Sequence, residues 1–245
     1  MTVNKNSMLY WYPKIRGLRI PQPRTAFIEV DPNTAYDFID DKDAYDFNEI
    51  KEAADLIGFP LFMRTDYLSA KHDWNKTCFV KSKDDLKGNV ARLVDASLSA
   101  DVIGIDVNAF IFREYIEMDS KFTAFWGEMP VCPERRYFVK HGKVLCHHPY
   151  WVEDSIRNPS VDNWKELLEQ MNREEELEIV ILSKYASMIG GIMGGYWSID
   201  FCRAKHALAY DLQKSIGWVF IDMALGQHSW HPEDCKQNLI RKKVL

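Results

Sequence analysis

Residues 58–80 read GFPLFMRTDYLSAKHDWNKTCFV. An apolar run ends in an arginine, a polar loop follows, and a second apolar run closes the stretch. Pro60 lacks an N–H and restricts the residue before it, so no helix passes through. Leu61, Phe62 and Met63 suit a buried strand with Arg64 at its end, and the loop offers Ser69, Lys71, His72, Asp73 and Lys76. Two strands joined by a donor-rich loop make either an ordinary hairpin with a solvated loop or one that closes over phosphates. The rest of the chain decides between them.

Upstream, residues 8–20 (MLYWYPKIRGLRI) are aromatic and contain Pro13 and Gly17, which reads as a short edge strand and a turn. Residues 25–30 (TAFIEV) form a strand stopped by Asp31-Pro32. Residues 31–47 are acidic and aromatic, a solvated segment with a short helix. They lack the central Gly and terminal Glu of an EF-hand loop. Residues 48–57 (NEIKEAADLI) place Ile50, Ala53, Ala54 and Ile57 on one helical face, with Asn48 as cap and Gly58 as a left-handed terminator.

Downstream, residues 82–94 read as a helix opened by a Ser82–Asp85 capping box. Phe110, Ile111 and Phe112 are strand residues, and REYIE at 113–117 continues that strand. Residues 122–126 (FTAFW) are a further aromatic run. Residues 134–139 (ERRYFV) and 143–146 (KVLC), joined by His141-Gly142, form a hairpin in which Arg136 and Phe138 share one face and Arg135 and Tyr137 the other. His147 and His148 invite a metal reading, but no third ligand stands at motif spacing, which favours a surface or groove-edge role. Helices are predicted over 162–171 and 177–190, with Glu174, Glu175 and Glu176 as a solvated face. GGIMGG at 190–195 punctuates the chain and matches neither a P-loop nor a dinucleotide fingerprint. Residues 197–202 (WSIDFC) and 218–223 (WVFIDM) are strands that carry Asp200 and Asp222 among apolar neighbours. A buried carboxylate must be hydrogen-bonded, paired or metal-bound. These two either hold a divalent cation on polyphosphate oxygens or pair with nearby arginines.

The 245 residues can bury a sizeable core, as one domain or two lobes. A net charge of -5 exerts no general pull on nucleic acid. No apolar run approaches membrane-span length, and the N-terminus lacks a secretory pattern. Five cysteines without a CxxC pair argue against a disulfide scaffold or a thiolate zinc site and fit a reducing compartment.

In this order the features resemble the ATP-grasp superfamily. LRIPQPRTAFI is similar to the segment leading into that fold. GFPLFMRT is similar to its GFP-apolar-apolar-Lys strand, with Arg64 where lysine is usual; Arg keeps the charge but presents a rigid fork. FREYIE is similar to the strand and hinge lining adenine and ribose, which implies contacts from Arg113, Glu114, Tyr115 and Glu117. ERRYFV is similar to the acidic–basic strand, which turns Glu134 and Arg136 to the cleft. WSIDF and WVFIDMALGQHS resemble the two metal-binding strands, with Asp200 and Asp222 as ligands. The likeness spans roughly residues 18–235. RTDYLSAKHDW followed by ERR leans towards an atypical branch that includes eukaryotic translation-initiation-factor assembly proteins and small phage-borne relatives; Ser69, Asp73 and Trp74 match its loop. The Gly-rich phosphate loop is absent, and with about twenty residues before the first match no separate N-terminal domain is expected. Ala224 stands where the family's asparagine follows the second carboxylate, so that contact is either lost or supplied by Gln227, His228 or water.

The resemblance implies an α+β fold of two lobes with mainly antiparallel sheets enclosing a nucleotide cleft. Its division would be an N-terminal extension or remnant at 1–24, an N-lobe at 25–109 and a C-lobe at 110–245. It implies an ATP- and Mg-dependent carboxylate–amine ligase working through an acylphosphate. Arg64, Lys71 and Arg136 would neutralise phosphate, Ser69 would bind nucleotide, and residues 65–76 would form a lid. The substrates would be small-molecule or peptide carboxylates and amines, with a protein partner also open, in the cytoplasm (the host's, for a phage-encoded chain). The alternative is an ATP-binding assembly protein without ligation. A nucleotidyl ligase would need a nucleophilic lysine in a K-x-D-G context, which is missing.

Overall fold

The computed structural model describes residues 4–32, 47–100, 106–206, 217–233 and 235. Two four-stranded antiparallel sheets form two lobes. The first has the order β1-β4-β2-β3, from Thr25–Glu29 (β1), Leu61–Thr65 (β2), Phe79–Val80 (β3) and Ala109–Glu114 (β4). The opening stretch is therefore a hairpin, with Leu61 opposite Val80 and Phe62 opposite Phe79. Helices Asn48–Ile57 (α2) and Leu86–Ala100 (α3) cover one face through Ile50, Ala54, Val90, Leu93 and Val94, packed on Leu61, Met63, Phe110 and Phe112. Alternation along β2 and β4 then leaves Phe62, Arg64 and Arg113 on the opposite face.

The second sheet has the order β10-β9-β7-β8, from Glu134–Lys140 (β7), Lys143–Pro149 (β8), Tyr196–Arg203 (β9) and Trp218–Leu225 (β10). His141 and Gly142 turn the β7–β8 hairpin with φ of 48° and 77°, the signature of a two-residue hairpin turn. Tyr137, Val139, Trp197, Ile199, Phe201 and Phe220 point to one face. There they meet Glu176–Met193 (α5) and Met8–Ile15 (α1). A small hairpin, Phe122–Ala124 (β5) with Met129–Val131 (β6), joins Trp74, Trp151 and helix Trp164–Asn172 (α4) in an aromatic cluster between the lobes. The aromatic run at 122–126 is thus core, apart from the exposed Trp126.

Several local expectations are corrected. Residues 8–15 are a helix, not an edge strand: Met8, Trp11, Tyr12 and Ile15 recur at helical spacing, all are buried, and the Ser7 hydroxyl accepts from the Leu9 N–H as N-cap. Asn48 does not cap α2; Phe47 occupies that position and makes no side-chain capping hydrogen bond, and Gly58 ends the helix at φ 85°, ψ 165° rather than in the left-handed helical region. The Ser82–Asp85 pair bonds side chain to side chain at 2.6 Å but precedes α3, which begins at Leu86. The strand carrying Arg113 stops at Glu114. Gly190 and Gly191 lie inside α5 rather than breaking it. A Cβ on Gly190 would stand 2.3 Å from Val139 Cγ1, so the glycine lets the helix cross closely over β7. Glu174 is no solvated face, since it bonds His147 at 2.8 Å and lies 3.7 Å from Arg135. The short helix expected within 31–47 falls on residues that lie, apart from 31, 32 and 47, outside the described ones. No helix of the described residues is long and apolar enough to cross a membrane.

Candidate nucleotide cleft

A cavity of about 240 Å³ lies between the sheets. Strand alternation fills it from both lobes. On β7, Glu134 and Arg136 face it, while Arg135 turns to the opposite face and is buried against Glu178 of α5 at 2.6 Å. On β9, Asp200 and Cys202 face it. On β10 the pairing slips between Phe220 and Asp222, which leaves Ile221 as the extra residue of a bulge. A bulge re-aims side chains next to a site: here both Ile221 and Asp222 line the cavity, while Phe220 and Met223 stay in the core.

The cavity gathers Arg64, Ser69, Lys71, Arg113, Glu114, Tyr115, Glu134, Arg136, Asp200 and Asp222. Glu117 is not among its lining residues. It is exposed at the surface and bonds Lys205 at 2.6 Å, because the strand that would have carried it inward ends three residues earlier. Sequence reasoning missed the apolar end of the cavity: Ile116, Met118, Cys132, Cys202 and Ile221 form a slot beside the segment joining the lobes. It also missed Tyr150, whose ring lies under Lys71 and Arg136 at 4.4 and 4.5 Å.

The two aspartates are opposite each other in register on β9 and β10. Each is held by an arginine. Arg136 grips Asp200 in a fork, Nε to Oδ1 at 2.8 Å and Nη2 to Oδ2 at 2.7 Å. Arg64 reaches across from the other lobe, its Nη1 2.7 Å from Asp222 Oδ2, with Nε and Nη2 donating to the Thr65 and Tyr67 carbonyls. Lys71 donates to the Tyr150 hydroxyl at 3.2 Å and sits 3.8 Å from Glu134. Burial works against its charge, but the attraction of Glu134, Tyr150 and Asp200 holds the ammonium above its ordinary value. Burial, opposed by Lys71, pushes Glu134 up to about 7.

Arg113 is the least satisfied group in the cleft. It is 3 % exposed and donates through Nη1 to the Ile221 carbonyl, while its buried Nε and Nη2 have no hydrogen-bond partner. Burial, reinforced by the neighbouring Arg64, pulls it down to about 10.

The 66–78 loop is docked rather than solvated. Trp74 is buried in the aromatic cluster, His72 stacks on Phe125 at 4.1 Å, and Gly127 bonds the His72 carbonyl. A Cβ on Gly127 would lie 2.2 Å from the Trp74 nitrogen, so only glycine permits this approach. Asp66, at the loop's start, is fully buried and accepts from the Ser7 hydroxyl at 2.7 Å, which ties α1 to the hairpin.

No protein-family model matches the sequence, and no curated protein matches it. Solved structures do. The chain is similar to Cdc123 from Schizosaccharomyces pombe, at 14 % identity and a TM-score of 0.54 over 92 % of this chain and 87 % of that one. The ATP-grasp ligase PsnB in complex with a minimal precursor aligns with 91 % of this chain and 52 % of its own, at 11 % identity and a TM-score of 0.44. The ADP complex of purK, an N5-carboxyaminoimidazole ribonucleotide synthetase, aligns at 10 % identity and a TM-score of 0.49, over 89 % and 44 % of the two chains. At these identities the likeness is one of fold. What the chain shares with Cdc123 is the architecture, two α+β lobes with antiparallel sheets around a cleft.

Proposed function

We propose that the cleft binds magnesium ATP and that the chain is an ATP-dependent carboxylate–amine ligase. The observation that carries this reading is Arg113, a cation buried at the meeting of the lobes with two unpartnered N–H groups beside Arg64. Such a group is costly unless an anion completes it. A polyphosphate supplies that anion, and the adjoining apolar slot of Ile116, Met118, Cys132, Cys202 and Ile221 suits a purine base.

The donor set fits magnesium. Asp200 and Asp222 offer hard carboxylate oxygens on neighbouring strands, the usual protein contribution where substrate phosphates complete the shell. Magnesium there would offset phosphate charge and order the polyphosphate. In the described state the carboxylates and guanidiniums satisfy each other. On nucleotide binding, Arg64 and Arg136 would exchange aspartate oxygens for phosphate oxygens, and the aspartates would turn to the metal. Lys71 approaches from the loop, with Tyr150 fixing its direction.

The chemistry proposed is transfer of the γ-phosphoryl group to a substrate carboxylate, giving an acylphosphate and ADP; an amine then attacks the acyl carbon and expels phosphate. The protein's part is positioning, charge neutralisation and exclusion of water. The docked 66–78 loop serves the last.

Ala224 favours a second reading, nucleotide binding without ligation, because its side chain offers no oxygen donor where the resemblance expects one. Two measurements separate the readings. Calorimetric titration of ATP with and without magnesium tests the site, and Asp222→Asn should abolish the magnesium dependence. Release of ADP and phosphate is then followed with pools of amino acids and peptides. Amine-dependent turnover supports ligation; tight binding without it supports the second reading. Absence of nucleotide binding, or unchanged magnesium dependence in Asp222→Asn, would sink both.

A further inference from the structure

A second cluster lies outside the lining of the cleft, on the face of the second sheet that carries Arg136. Cys146 and His148 stand two apart on β8, and so share a face. His231 and Cys235 come from the segment after β10. One ligand atom from each of the four lies within 4.8 Å of every other. His231 Nδ1 is 3.8 Å from Cys146 Sγ and 3.5 Å from Cys235 Sγ. A tetrahedral zinc with Zn–S of about 2.3 Å and Zn–N of about 2.0 Å has edges of roughly 3.3–3.8 Å between ligand atoms. The cluster is close to that size before any metal draws it in.

From this geometry we infer a structural Cys₂His₂ zinc site formed by Cys146, His148, His231 and Cys235. Its surroundings are those of a metal site rather than of a loose surface group. His231 and Cys235 are buried. The other ring nitrogen of His231, Nε2, is 3.0 Å from the Tyr196 hydroxyl, an outer partner that directs Nδ1 at the thiols. The His231 ring stacks on Phe138 at 3.6 Å, which sets its plane. Two sulfur and two nitrogen donors select zinc among the common divalent metals, and four protein ligands close the shell, so the role is structural. Binding converts both thiols to thiolates and sends two protons to solvent. The metal would staple the segment after β10 to β8, the edge strand of the second sheet, and close a long loop. Cys146 pairs with Phe138 and His148 with Arg136, so the staple also braces the strand pair that presents Arg136 to the cleft.

The absence of a CxxC pair had argued against such a site. The ligands are instead a C-x-H on one strand and an H-x₃-C far along the chain, and only the fold joins them.

The test is the metal content of the full chain purified under reductant from zinc-supplemented cells. About one zinc per chain is expected, falling to background in the Cys146→Ser, Cys235→Ser double variant. Cobalt exchanged into the wild-type chain should give the visible bands of a tetrahedral site with thiolate charge transfer. Should the double variant fail to fold, wild-type protein still decides. Zinc should shield Cys146 and Cys235 from alkylation relative to chelator-treated protein, with Cys78, Cys132 and Cys202 as internal controls. Metal-free protein that takes up no zinc, full zinc retention in the double variant, or a Cys146–Cys235 disulfide under reductant would each overturn the assignment.

Discussion

Replacing Arg113 with methionine should stabilise the ligand-free chain while crippling nucleotide binding. Arg113 is buried at 3 % exposure and repelled by Arg64. Burial and Arg64 pull it from the ordinary 12.5 down to about 10, an environment unfavourable to the cation by roughly 3 kcal/mol. Methionine has similar length, no charge and the flexibility to fill an irregular gap. It forfeits the charge-assisted bond to the Ile221 carbonyl, a loss of about 1–2 kcal/mol. The balance is a gain of about 1–2 kcal/mol, readable as a higher urea midpoint at unchanged slope. The same change removes a charge-assisted contact to phosphate, about 1.5–3 kcal/mol, so ATP affinity measured calorimetrically should drop roughly 10- to 100-fold. A variant destabilised by more than about 1 kcal/mol with ATP affinity within about twofold of wild type would refute the reasoning.

Three further outcomes follow from the same geometry. Gly190→Ala drives a Cβ to 2.3 Å from the β-branched Val139 and should cost about 1–3 kcal/mol in urea unfolding, with partial recovery when Val139→Ala is added. Arg135→Met strips the buried Glu178 of the guanidinium that bonds it at 2.6 Å and should cost about 3–5 kcal/mol, whereas Arg135→Met combined with Glu178→Leu should regain most of that. Because burial raises Glu134 to about 7, the folded chain holds that proton more tightly than the unfolded one. Stability contributed by this group is full at low pH and declines as pH rises from about 4.5 to about 7. Glu134→Gln should flatten that part of the urea-midpoint profile; an unchanged decline would show that another group causes it.

The extent to which the sequence could be read differs from place to place for physical reasons. The 58–80 hairpin, the His141-Gly142 turn and the strands around Asp200 and Asp222 were predictable because local periodicity and turn chemistry specify them. Residues 8–15 were misjudged although their spacing is helical, since Pro13 and the aromatic content outweighed the repeat of Met8, Trp11, Tyr12 and Ile15. The docked state of the 66–78 loop was invisible: its polar residues read either as solvated or as closing over phosphates, and only Gly127, far along the chain, lets Trp74 reach the aromatic cluster.

Alternation along β7 and β9 is a property of the chain itself. It put Glu134 and Arg136 on one face, and Asp200 with them once the strands paired. The sequence therefore determined which residues each strand could offer to a cleft. It did not determine who would meet whom across the lobes. The Arg64–Asp222 contact, the slip in β10 that admits Ile221, the surface position of Glu117, and the convergence of Cys146, His148, His231 and Cys235 depend on long-range packing. Such contacts join residues separated by tens to hundreds of positions, and no local pattern records them; the tertiary structure alone decided those partners.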